Sequence, residues 1–128
     1  MKDLSIKEFS DLIYKKLEPL NYKQILSKPT TDDTFPCLEL HTPLKSVNKT
    51  ENGEPVLSTF QIFISCWNED QGQAMQMTGE VDEKLQQYNI IRIGTNQAIY
   101  DDLLKKYCIT CIYEVRYNSL TNAFIYIK

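Results

Sequence analysis

A chain of 128 residues, 42% apolar and 24% charged, has room for one domain around a single core, and needs neither disulfides nor a metal to hold it. Its net charge of −3 and pI near 5.1 exclude the basic stripe of a general nucleic-acid binder and the polybasic surface of a membrane-binding protein. The only adjacent basic pairs, Lys15-Lys16 and Lys105-Lys106, have acidic neighbours.

Ser5 to Leu17 reads as the first helix. Ser5 and Glu8 have capping-box spacing, and Ile6, Phe9, Leu12, Ile13 and Leu17 fall on one apolar stripe. Lys15 and Lys16 suit the last turn, and Glu18-Pro19 ends the helix. Tyr22 to Leu26 is a short strand at an edge. Phe35 to His41 is the second strand, with Pro36 at its start because proline cannot donate to a ladder.

A structureless loop from Thr42 to Ser58 is too long for a compact domain. Asn52-Gly53 is the preferred pair of a type I′ hairpin turn. Residues 43–57 are therefore expected to form a β-arm continuing outward beyond the sheet. The extended chain from Gly53 to Trp67 would span about 45 Å, against a radius of gyration of about 14 Å for such a domain. The tip, with Lys45, Lys49, Glu51, Asn52, Gly53 and Glu54, is polar and has no core of its own.

Leu57 to Trp67 is the central strand. Phe60, Ile62, Ile64 and Cys66 share one face and Leu57, Phe63 and Trp67 the other, so cover on both sides is expected. Asn68 is the expected N-cap of a second helix. Ala74, Met77, Val81 and Leu85 form its apolar stripe, with Gln73, Gln76, Glu80, Glu83 and Gln87 opposite. Ile90 to Thr95 is a strand with a bulge or exit at Gly94. Asn96 to Lys106 reads either as a helical turn over Leu103-Leu104 or as a strand at 98–100 followed by a turn. Tyr107 to Tyr117 and Ala123 to Ile127 form a hairpin around N-S-L-T-N.

The fold class is α+β: an antiparallel or mixed β-sheet, two main helices packed on it, and a long projecting β-hairpin, all in one domain over residues 1–128. The charged N-terminal residues M-K-D-L-S-I-K-E-F lack the apolar core of a secretory leader. A cytoplasmic origin is therefore expected, with four free cysteines; the Asn48-Lys49-Thr50 sequon is then inert. No apolar run is long enough to span a bilayer.

Motifs with chemical potential have plainer readings. Cys108 and Cys111 have redox or zinc spacing, but they lie in a strand, where side chains three apart point to opposite faces. No second pair of ligands completes a zinc site. His41, the single histidine, has no nucleophile nearby in sequence to orient. Asp32-Asp33 and Asp101-Asp102 read as turn residues or caps. With four glycines and no phosphate-cradling loop, nucleotide binding has no signal. Trp67 reads as core, and neither catalytic residues, cofactors nor metals are expected.

The stretch from Phe35 to Leu85 reads F-P-C-L-E-L, a polar arm turning at Asn52-Gly53, T-F-Q-I-F-I-S-C-W, then N-E-D and a helix. This order resembles the tail terminator (tail-completion) proteins of long-tailed phages and phage-tail-like particles. In that family a short helix precedes a Phe/Tyr-Pro strand, and a long hairpin leads to an apolar strand ending in Trp or Tyr, followed directly by an amphipathic helix. The resemblance implies a non-enzymatic virion protein of the tail and neck, made in the bacterial host. It implies a ring, usually hexameric, on the head-proximal end of the tail tube, ending tube polymerisation. The implied partners are further copies of the chain, the tail tube protein and the neck or connector protein, with the sheath protein as a further candidate. DNA is only passing cargo. Under this reading the arm residues Lys45, Lys49, Glu51, Asn52, Gly53 and Glu54 form a subunit interface, and Glu80 and Glu83 line the lumen. Another connector component (a stopper or minor capsid protein), or a small cytoplasmic binding or immunity-type module, is the alternative.

Overall fold

A computed structural model describes residues 3–125. Helix α1 (Ile6–Leu17) begins with the expected capping box: the Ser5 hydroxyl accepts from the Glu8 amide and the Glu8 carboxylate accepts from the Ser5 amide. A 3-10 turn (Glu18–Leu20) leads to β1 (Lys23–Ile25). Then come β2 (Cys37–Leu40), β3 (Leu44–Glu51), β4 (Glu54–Asn68), α2 (Gln71–Gln86), β5 (Ile91–Thr95), β6 (Ile99–Asp101), β7 (Lys106–Asn118) and β8 (Ala123–Ile125). The expected continuation of the last strand to Ile127 lies outside the described residues.

The eight strands form one mixed sheet, parallel only between β1 and β2. Its spine is the antiparallel β4–β7 pair, in register from Leu57–Asn118 to Asn68–Tyr107. On the far side of β4, β2 and then β3 lie end to end, with β1 outside β2. On the far side of β7, β6, β5 and β8 lie end to end. Of the two readings for residues 96–106, the strand followed by a turn is the one observed. The register of β5 slips between Arg92 and Gly94, a bulge at the expected place.

Both helices cover the same sheet face. Phe9, Ile13 and Leu17 of α1 and Ala74, Met77, Val81 and Leu85 of α2 are buried against Phe60, Ile62, Ile64, Cys66, Tyr113 and Val115. Phe9 stacks on Phe60 at 4.5 Å between ring centroids. The second face of β4 departs from expectation. Only its end is covered, where Trp67, Cys37 and Leu104 form a small cluster with Phe35; Leu57 and Phe63 remain half-buried. The helices cannot reach that face, so its central stretch is lined with polar side chains instead.

The hairpin turns at Asn52-Gly53, both with positive φ (52° and 79°), as a type I′ turn requires. It does not stand clear of the sheet as expected. β4 is paired with β7 out to Leu57. Beyond that point Ser119 holds β4 through its amide on the Val56 carbonyl and its hydroxyl on the Pro55 carbonyl. The extended length of β4 is taken up by a 13-residue partner strand, a long-range pairing that local sequence does not reveal. Only the tip around Glu51–Glu54 passes the sheet. The cap of α2 also differs: Asp70 is the N-cap, accepting from the Gln73 amide, while Asn68, two residues earlier, accepts from the Asp70 amide.

Candidate functional site

Three places gather the side chains singled out by sequence or topology: the hairpin β3–β4, the exposed side of α2, and the open sheet face. In the hairpin, Lys45 lies opposite Phe60 and so points toward the helices rather than to the tip. Its side chain is 13% exposed and ion-paired with Asp3. It also donates to the Leu4 carbonyl at 2.8 Å and sits 5.6 Å from the Phe60 ring. Lys45 therefore fastens the segment before α1 to the sheet, which corrects its placement among the tip residues. Lys49 and Glu51 form an exposed ion pair at 3.6 Å. Asn52, Gly53 and Glu54 are exposed. Glu51 lies directly opposite Glu54, a like-charge pair that weakens a tip with no core beneath it.

On α2, the two acidic residues expected to act together are separated. Glu83 is exposed, whereas Glu80 is half-buried and accepts the Tyr22 hydroxyl. Burial, reinforced by Glu80, pushes the Tyr22 hydroxyl up to about 12. Glu80 thus ties β1's approach to α2, a contact 58 residues away in sequence that the helical periodicity could not foretell. Asp82 is engaged further along the helix: it accepts the buried Tyr113 hydroxyl and pairs with Arg92 at 3.0 Å.

The open face carries a polar ladder across β2, β4 and β7. Trp67 donates its indole N–H to Glu39 at 3.0 Å, His41 Nε2 meets Ser65 Oγ at 2.9 Å, and Ser65 Oγ meets Thr110 Oγ1 at 2.7 Å. Further along, Gln61 donates to Glu114 at 2.8 Å and Thr59 to Asn48 at 2.7 Å. The Glu39–His41–Ser65 grouping brings together triad residue types, but its geometry is wrong for a triad. The Glu39 carboxylate lies 3.6 Å from the same Nε2 that meets Ser65. An orienting acid must bind the other ring nitrogen. Ser65 is also buried, so the ladder satisfies polar groups between half-covered strands and does not present a nucleophile.

Cys108 and Cys111 fall on opposite faces of β7, Cys111 buried and Cys108 half-buried. Burial pushes the thiols of Cys37, Cys66 and Cys108 up, that of Cys37 to about 12, so they stay protonated and unreactive at neutral pH. Asp33 and Asp101 are the capping members of their pairs. Asp33 accepts from the Thr30 amide and Asp101 from the Leu104 amide, and these bonds hold both carboxyls below the usual range. Among the described residues no three His, Cys, Asp or Glu side chains are placed to hold a metal ion, and no helix is long and apolar enough to cross a membrane.

The exposed apolar side chains follow a distribution that no local sequence pattern marks. Outside the helices they lie on the two rims of the sheet: Leu26, Leu44 and Val47 on one, Ile93, Ile99, Tyr100 and Ile125 on the other, with Leu103 and Leu120 in the adjoining turns. Leu44 and Val47 were hidden in a segment that reads as polar. The short strands opposite them look too weak, taken singly, to mark an edge.

No model of a known protein family matches the sequence, and no curated protein matches it either.

Proposed function

We propose that the chain is a structural subunit of the head–tail junction of a phage or phage-tail-like particle, of the tail terminator kind. It assembles into a ring that caps the head-proximal end of the tail tube. One ring face meets the last layer of tube subunits. The other lacks a site for further tube addition and receives the neck or connector protein. The work is done by surface complementarity, and DNA passes through the ring as cargo. Glu83, exposed on α2, belongs to the lumen in this reading; Glu80 contributes to the fold through Tyr22.

The observation that carries the reading is the order of elements together with its punctuation. A capped helix precedes a strand opened by Phe35-Pro36. A hairpin then turns at Asn52-Gly53 into a 15-residue strand ending beside Trp67, and α2 follows at once. The triad-like group on the open face has a geometry that serves packing, which agrees with a reading built on surface complementarity.

The test is to mix the purified protein with tail tubes of the cognate particle and image them by negative stain. Caps at one end of each tube, with tube growth stopped, are expected. Tubes that grow on uncapped in the presence of excess protein would contradict the reading.

A further inference from the structure

The sheet ends on two unlike rims, and neither has a partner among the described residues. β3 pairs only with β4, and β5 only with β7. Strand edges with unpaired amides and carbonyls, carrying apolar side chains, are sites for adding another strand. On the β3 rim the regular stretch is Leu44–Val47, ending at a register slip before Lys49. Leu44 is 57% and Val47 47% exposed. Next to it, Ile6, Leu26 and Pro43 line a groove of about 470 Å3. The groove opens where β1 stops, because β1 extends the sheet beside β2 but not beside β3. The β3 rim therefore starts beside a notch in the sheet edge, in which Lys7 and Asp11 stand among the apolar side chains. On the opposite rim Ile93 is 49% and Ile99 63% exposed, Ile93 lying within the β5 bulge.

Strand direction and the cover of both rims together decide which copies fit. β3 runs antiparallel to β4, β4 antiparallel to β7, and β7 antiparallel to β5. β3 and β5 consequently run in opposite senses in one sheet. A second copy placed beside the first in the same orientation brings its β5 against β3 as an antiparallel pair, the more stable ladder. Two β3 rims could also pair antiparallel, about a two-fold axis normal to the sheet, but that would leave both apolar β5 rims bare.

We infer that the β3 notch receives the β5 rim of a second copy of this chain, head to tail. This rests on the ring reading above and names the surfaces that build the ring. The register slips in both strands confine pairing to a few residues, so the junction is a short specific contact and not a seed for continuous stacking. A head-to-tail contact closes into a ring when its rotation allows and otherwise gives an open chain. In a closed ring no β3 or β5 edge is left without a partner.

Two single variants test the pairing, Val47→Lys and Ile93→Lys. Both side chains are about half exposed, so circular dichroism and melting should match the unaltered protein. Mass is then read by light scattering across concentration. Each variant alone is expected to need about tenfold more protein to assemble, or to stay monomeric. Mixed one to one, they are expected to give heterodimers of twice the 14.9 kDa chain, because the intact β5 rim of the first fits the intact β3 notch of the second. Rings that persist in both variants would overturn the rim pairing while leaving the ring reading in place. Open chains from the unaltered protein, blocked by either variant, would uphold the pairing and remove the ring. An unaltered chain that stays monomeric at every concentration, or a mixture that gives no heterodimer when each variant is blocked, would overturn the pairing.

Discussion

Cys37 and Cys66 are buried, and Tyr113 is buried with its hydroxyl on Asp82. Burial raises all three groups, and Tyr22 with them, above their ordinary ionisation range. A group whose proton is held more tightly in the folded state contributes stability below its unfolded value and loses it as pH rises through the folded one. The urea midpoint is accordingly expected to hold to about pH 9, near the ordinary thiol value, and to fall steadily toward pH 12. A midpoint unchanged at about pH 11 would contradict this burial. The same packing should leave the thiols slow toward a disulfide reagent near pH 8 until denaturant is added, when four react. In the core, Phe60→Ala removes the ring that Phe9 stacks on and should cost about 3–5 kcal/mol in urea unfolding. At this scale the sequence is most legible where periodicity is strict: Phe60, Ile62, Ile64 and Cys66 all face the core as alternation requires. It is least legible for polar partners. Lys45 with Asp3, and Glu80 with Tyr22, join residues 42 and 58 positions apart, and no local pattern encodes them.

Helices and turns follow their local chemistry closely. The capping box of α1 forms as the Ser5–Glu8 spacing requires, and Ser5→Ala should lower stability by about 1 kcal/mol. The hairpin turn depends on Gly53, whose φ of 79° is left-handed. Open space surrounds a Cβ placed there, so Gly53→Val is expected to act through backbone strain alone, lowering stability by roughly 1–3 kcal/mol in thermal or urea unfolding. An unchanged midpoint would mean that the tip does not hold this turn. Asn21, Asn89 and Asn122 also occupy left-handed corners, a role asparagine tolerates. What the sequence concealed at this scale is pairing. The short β5, β6 and β8 are each weak signals, yet end to end they flank one side of the 13-residue β7. The same register absorbs β4, so the hairpin lies along the sheet instead of reaching out from it.

For the whole molecule, two helices on one face of an eight-stranded sheet leave a second face of half-buried polar side chains and two apolar rims. The α+β class was readable from the sequence because apolar periodicity fixes which elements exist. The rims were not, because exposure of Leu44 or Ile93 depends on which strands end the sheet. The rims matter most for the proposed ring, because they are the surfaces that further copies would cover in it.

The most direct measurement of the ring proposal is the mass of the purified protein by light scattering across concentration, with negative-stain images of the same sample and of the sample mixed with tail tubes. Closed rings of about six copies, free or seated on tube ends, are the expected result. A compact monomer that neither self-associates nor caps tubes would contradict the account.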